Sequence, residues 1–172
     1  SLDKSIAPAN DNFAFRMDLG NATSVTTNAT SAAATGEVGE PPHAGYTAAR
    51  SLWWKWTAPS TGLVSISTAG SGFDTVLAVY RGSTLFSLLD IASNDDAGGT
   101  NTSRVEFEAQ AGVTYQIAVD GFEGAGGAVS LGIALSGGPS NDAFANRTML
   151  TGNYSSVSGT NSQATAEAGE PP

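Results

Sequence analysis

The feature that most restricts how this chain folds is an alternation of apolar and polar residues with a period of two. It recurs in short runs from Arg50 to Leu135. Successive side chains of a strand point to opposite faces, so such a run buries one face and wets the other. In SLWWKWTAP, Leu52, Trp54 and Trp56 share one face and Trp53 and Lys55 the other, and Pro59 ends the run as a strand leaving a sheet would. GLVSIST sets Val64 and Ile66 against Ser65 and Ser67, and RVEFEAQ sets Val105 and Phe107 against Glu106 and Glu108. VTYQIAVDG aligns Tyr115, Ile117 and Val119, and GAVSLGIALSGG aligns Val129, Leu131, Ile133 and Leu135. FDTVLAVYRG is apolar on both faces, as a strand inside a sheet is, and LFSLLDIASN reads as a further strand. Turn residues arrive every ~8–12 positions, the spacing of an antiparallel sandwich or barrel. The predicted fold is all-β: an antiparallel β-sandwich of jelly-roll type with about seven to nine strands and little or no helix. NDNFAFRMDL allows one or two helical turns with Asn10 or Asp11 as N-cap, and SVTTNATSAAAT is an edge-strand candidate.

A second feature concerns organisation. PANDNFAFRMDL near the start returns as PSNDAFANRTML, and EVGEPPH returns as EAGEPP. Phe13, Ala14, Arg16 and Leu19 match Phe144, Ala145, Arg147 and Leu150 at an offset of 131, and Glu37, Gly39, Glu40, Pro41 and Pro42 match Glu167, Gly169, Glu170, Pro171 and Pro172 at 130. One residue of slip over so many matches points to a tandem array. Residues 1–136 then form one complete sandwich repeat, and residues 137–172 a linker, SGGPS, and the head of the next unit.

Composition narrows the partners. A net charge of −9 with only two lysines, Lys4 and Lys55, argues against nucleic acid or an anionic membrane. No apolar run reaches membrane-spanning length, so membrane insertion is not expected, and SLDKSIAPAN has no apolar signal core. The absence of Cys closes disulfide and thiol chemistry and fits an exported bacterial protein, at the cell surface or beyond it.

The body resembles a bacterial family, the pre-peptidase C-terminal (PPC) domain, a β-sandwich of secreted peptidases and large surface proteins. NDNFA, SLWWKWTAPSTG, FDTVLAVYRG, the SNDD loop and AGVTYQIAVDG carry the likeness in order across most of residues 8–135. The resemblance implies a non-catalytic accessory module, with relatives linked to matrix binding, including collagen binding in secreted collagenases. It also implies calcium held at the N-terminal edge. The matching residues are Asn10 and Asp11, with Glu37 and Glu40 just before the first aromatic strand, and Asn141, Asp142, Glu167 and Glu170 in the second copy. Ala7, Pro8 and Ala9 stand where the family often carries Glu. Calcium takes six to eight oxygens in irregular geometry, so these four side chains supply part of a shell; the plainer reading is a capped turn with solvated glutamates.

Other candidates are weaker. In SNDDAGGTN, Asn94 and Asp96 mimic the start of an EF-hand loop, but the twelfth position is Val105 where Glu is needed. Asx turns at Asn94 and Asp95 are the expected role there, with a metal as the alternative; Asp74 and Asp120 are expected to bond backbone N–H groups at turns. A triad would have to recruit His43, the single histidine, and no G-x-S-x-G elbow presents a serine. DGFEGAGGA has neither a following helix nor a Lys, so it is a turn and not a phosphate cradle. Paired carboxylates drawn from 16 acids are the remaining catalytic route, and short strands with acids at their turns explain those acids as well. Trp53, with Tyr46 and His43 nearby in sequence, is a candidate stacking surface for a sugar or peptide; coverage of Trp53 by the head segment is the competing expectation.

Three functions follow in order. The first is a repeating structural or adhesive spacer of a large exported protein, with neighbouring repeats or like subunits as partners. The second is a module that binds polysaccharide or collagen-like matrix protein, with a variant in which the tail joins a neighbouring chain's sandwich into a filament. The third, catalysis, has the least support.

Overall fold

Two of the three tryptophans in SLWWKWT point inward and one outward, and the architecture is organised around that split. The computed structural model describes residues 6–137, 147–152, 154–159, 161 and 164. Among them are nine strands: β1 (Met17–Asp18), β2 (Ser24–Thr30), β3 (Leu52–Thr57), β4 (Gly62–Ser67), β5 (Thr75–Arg81), β6 (Leu89–Asn94), β7 (Arg104–Ala109), β8 (Thr114–Gly121) and β9 (Ala128–Ser136). They form a five-stranded sheet in the order β1-β3-β8-β5-β6 and a four-stranded sheet in the order β2-β9-β4-β7.

The pairing is nested. β5 pairs with β6, β4 with β7, β3 with β8 and β2 with β9, all antiparallel. A single long hairpin rolled up on itself gives this order, with β4·β9 and β5·β8 as the contacts made by rolling. That is the eight-strand jelly roll expected from the sequence. The ninth strand departs from the antiparallel expectation: β1 runs parallel to β3, with Met17 opposite Trp54 and Asp18 opposite Lys55. Two residues give no periodic signal, so β1 is invisible to a pattern search.

Between the sheets lies the main core. Leu52, Trp54 and Trp56 of β3 meet Val64 and Ile66 of β4, Leu77 and Val79 of β5, Tyr115, Ile117 and Val119 of β8, and Val129, Leu131 and Ile133 of β9. The inward set is the one that alternation assigns. β5 has a strand on each side and is buried on both faces, which is why its sequence shows no alternation. β2 is the edge of its sheet and alternates between exposed and half-buried residues, in keeping with its Thr-rich sequence.

Among the described residues helix is confined to three single 3₁₀ turns, at Phe13–Phe15, Leu85–Ser87 and Phe122–Gly124. The first corrects the capping expectation. Its N-cap is Asn12, which makes no side-chain cap bond, and Asn10 and Asp11 are committed elsewhere.

The three indoles differ in how their N–H groups are satisfied. Trp56 Nε1 donates to the Ala22 carbonyl at 2.9 Å, whereas Trp54 Nε1 is buried without an acceptor. An unpaired buried donor costs about 1–3 kcal/mol, roughly what a ring reduction loses in packing. Trp54→Phe is therefore expected to change unfolding free energy by no more than about 1 kcal/mol, and Trp56→Phe to destabilise by at least about 1 kcal/mol more than that. Urea denaturation of the two variants checks the order.

Candidate functional site

Trp53 projects from the outer face of the five-stranded sheet, and an indole left in water there would expose a large apolar area. It is instead completely buried, in a second cluster with Phe13, Ala78, Tyr80 and Ala118, with Leu85 and Leu88 packed against it. The Phe13 ring meets Trp53 edge-on at 5.1 Å between centroids. The cover is the head segment, and residues 10–11, 37 and 40 hold it down.

Each of those four makes specific bonds. Asn10 Nδ2 donates to the Trp53 carbonyl at 3.1 Å, and Trp53 N–H donates back to the Asn10 carbonyl at 2.9 Å. Asp11 accepts the Thr35 N–H at 2.6 Å and the Thr35 hydroxyl at 3.0 Å, one on each carboxylate oxygen. Glu37 Oε2 accepts the Phe13 N–H at 2.8 Å, tying the loop before β3 back to the head. Glu40 Oε2 accepts the Glu37 N–H at 2.8 Å, and Glu40 Oε1 accepts the Trp53 indole N–H at 2.5 Å and the Ser51 hydroxyl at 2.6 Å. Burial pushes the Glu40 carboxyl above the usual carboxylate range, against the opposing pull of its Ser51, Glu37 and Trp53 donors. Gly39 makes the turn between the glutamates. Its φ of +95° favours glycine, and a Cβ there would lie 2.6 Å from the Phe86 ring.

Sequence reasoning grouped Asn10, Asp11, Glu37 and Glu40, and all four contribute to this strap. As arranged they do not fit a calcium shell. Both oxygens of Asp11 and of Glu40 are turned to N–H and O–H donors, and among the described residues the three carboxylates whose oxygens lie within 4.8 Å of one another are Asp74, Asp95 and Asp96. Asn141, Asp142, Glu167 and Glu170 lie outside the described residues.

The proposed stacking surface needs correction for two of its three members. Trp53 and His43 are fully buried, so neither offers a face to a ligand; Tyr46 is 38 % exposed and meets Phe122 edge-on. His43 serves as a core polar residue. Its Nδ1 lies 2.7 Å from the Tyr80 hydroxyl, which in turn donates to the Pro42 carbonyl at 3.3 Å. That contact engages one ring nitrogen, and the other, Nε2, is buried without a partner. Burial depresses the His43 pKa to about 4, the Asp120 charge acting weakly the other way, and burial raises that of the Tyr80 phenol. A neutral, enclosed imidazole is no general base for a bound substrate.

Asp120, expected at a turn, lies at the end of β8 and accepts the backbone N–H groups of Ala49 and Arg50, each at 2.7 Å, which anchors the approach to β3. Asp120 thus bonds backbone N–H groups as expected, whereas Oδ2 of Asp74 accepts from the Asn101 side chain at 3.1 Å. The Asp74 carboxyl is held above the usual range by desolvation and by the charges of Asp96 and Asp95. Asn94 closes β6 by donating to the Asp96 carbonyl and accepting the Arg104 N–H.

Residues 50–121 match the family model of the bacterial pre-peptidase C-terminal domain. Among solved structures, the pre-peptidase C-terminal domain of a collagenase from Bacillus anthracis is similar at 14 % identity and a TM-score of 0.46, over 69 % of this chain and 93 % of that one. PliG of Aeromonas hydrophila, a periplasmic inhibitor of g-type lysozyme, is similar at 15 % identity and a TM-score of 0.47, over 70 % of this chain and 96 % of that one. No curated protein matches. Among the described residues no helix is long and apolar enough to cross a membrane.

Two outcomes follow. Glu40→Ala strands the Trp53 indole N–H and the Ser51 hydroxyl and is expected to cost about 2–4 kcal/mol. In a double-mutant cycle with Trp53→Phe, the combined loss falls short of the sum by about 1 kcal/mol, because both substitutions remove one shared bond. For His43, the folded pKa near 4 lies below the ordinary imidazole value of 6.5, so the unfolded chain binds the proton more readily. Its contribution is fully present above pH 6.5 and is lost as pH falls toward 4, by an amount on the order of 3 kcal/mol. His43→Gln is expected to flatten that part of the stability profile, read by denaturant midpoints at successive pH values.

Proposed function

We propose that the chain, whose residues 50–121 match the family model of the bacterial pre-peptidase C-terminal domain, is a non-catalytic module of an exported bacterial protein. It works as a repeating spacer or adhesive unit. The observation that carries this reading is the coincidence of two sets of residues. Asn10, Asp11, Phe13, Glu37, Gly39 and Glu40, which strap the head over Trp53, return as Asn141, Asp142, Phe144, Glu167, Gly169 and Glu170. What recurs is the docking chemistry, and that is what a following body would need to cover its own outer face. Neighbouring units, or like subunits joined head to body, are the partners this chemistry suits. The buried, neutral His43 supports the non-catalytic part of the reading.

The test extends the chain with a second copy of residues 43–136 after Pro172. Two cooperatively folded bodies are expected, seen as an elongated particle with two lobes of equal size in small-angle scattering. Phe144→Ala with Asp142→Ala is expected to destabilise the second body by about 3–5 kcal/mol and to leave the first unchanged. A second body indifferent to those substitutions would refute the tandem reading.

A further inference from the structure

The strap stops short. Along the outer face of the five-stranded sheet it covers the row of Trp53, Ala118 and Ala78, while in the adjacent row Lys55 of β3 faces Gln116 of β8 and opens onto a cavity of about 490 Å³. Arg16 from the head, Arg81 and Ser83 from the end of β5 and the turn after it, and Thr114 complete its walls. Three of the chain's seven cationic side chains therefore converge on one groove, in a protein of net charge −9.

Few of these groups are spent. Lys55 pairs with Asp18 at 3.0 Å, which leaves its remaining ammonium protons available. Arg16 is braced from behind: Nη1 donates to the Phe13 carbonyl at 2.8 Å and the guanidinium lies 4.1 Å over the Phe13 ring. Its Nε is buried and has no acceptor. Gln116 forms the floor. It is 3 % exposed, its Nε2 donates to the Gly82 carbonyl at 3.0 Å, and that bond orients the amide so that Oε1 is left buried without a donor. Buried polar groups are normally satisfied, and two residues that line this one cavity, Gln116 and Arg16, each keep a buried polar atom without a partner.

From this placement we propose that the groove binds a carboxylate-bearing sugar, a uronic-acid residue of an acidic polysaccharide. The carboxylate lies among Arg16, Arg81 and Lys55, which match its charge and, for the arginines, its planar geometry. A ring hydroxyl donates to Gln116 Oε1, and Thr114 and Ser83 offer further hydroxyl partners. A neutral sugar satisfies Gln116 but offers no anion to Arg16 and Arg81, and a bare carboxylate matches the cations but not Gln116. The groove is separate from the strap bonds, so its ligand does not depend on whether the modules form an array.

The test is calorimetric titration of the full chain with an oligomer of galacturonic acid at low salt. The expected result is saturable binding that weakens as salt rises and is lost for the fully methyl-esterified oligomer. Arg81→Ala, at an exposed position outside the core, is expected to weaken binding roughly tenfold or more. Gln116→Met, which removes the acceptor but keeps the volume, weakens the uronate and leaves the weaker binding of polyacrylate, which carries carboxylates without hydroxyls, unchanged. No saturable binding, binding indifferent to Arg81→Ala, or polyacrylate binding as tightly as the oligouronate would overturn the assignment. So would tighter binding of an oligo-aspartate peptide, which would make the groove a peptide site. Circular dichroism of each variant separates lost binding from lost fold.

Discussion

A tryptophan on the wrong side of a sheet is the constraint on which this structure turns. Strand periodicity places Trp53 outside the sandwich whenever Trp54 and Trp56 are inside it, and a jelly roll by itself has no third layer to cover an outward indole. The head segment supplies that layer, with Phe13 against the ring and Glu40 accepting its N–H. Once Glu40 is held there its backbone turn is set, Glu37 comes within reach of the Phe13 amide, and His43 is enclosed against Tyr80. The buried bonds of the outer layer thus form one connected set, and such sets depend on all members being satisfied.

The nested pairing of the strands explains why this layer can exist at one end of the chain. In a rolled hairpin the first and last strands of the roll lie side by side, as β2 and β9 do, so anything N-terminal to β2 is free to pass to the other sheet. Here it does so and adds β1 alongside β3 in parallel. This parallel pair is therefore a consequence of the wrap, because the head approaches β3 from outside the hairpin.

Much of this was legible in the sequence, and the reasons are specific. The inward set of Leu52, Trp54, Trp56, Ile117, Val119 and Leu131 follows from alternation, since each is separated from the next on its strand by a residue of the opposite face, even where the head segment buries that face too, as over Trp53 and Ala118. β5 was recognisable by the lack of alternation. The residues of the strap are grouped in the sequence by the family resemblance and by their recurrence, but the bonds they make are not legible there: a carboxylate that accepts N–H bonds and one that ligates an ion look the same as letters. For Trp53 the reading that holds is coverage by the head segment and not a stacking surface; the enclosure of His43 has no local trace in the sequence, because its neighbours Trp53 and Tyr80 lie 10 and 37 positions away. The cationic groove was missed for the same reason. Arg16, Lys55 and Arg81 are far apart in the chain, and only the sheet register brings them together.

The way the head is fastened also bears on how such a unit responds to being pulled. Tension arriving from the N-terminal side reaches Asn10 and Phe13 before any long ladder, and meets a few separate bonds and the two-residue β1–β3 pairing where β2 and β9 share seven paired positions. The stretch from Asn10 to Leu19 would peel first, releasing roughly 30 Å of extended chain while the rolled hairpin keeps its register. A string of these units would lengthen by graded, recoverable steps before any body came apart, and would behave as a shock absorber more than as a rigid rod.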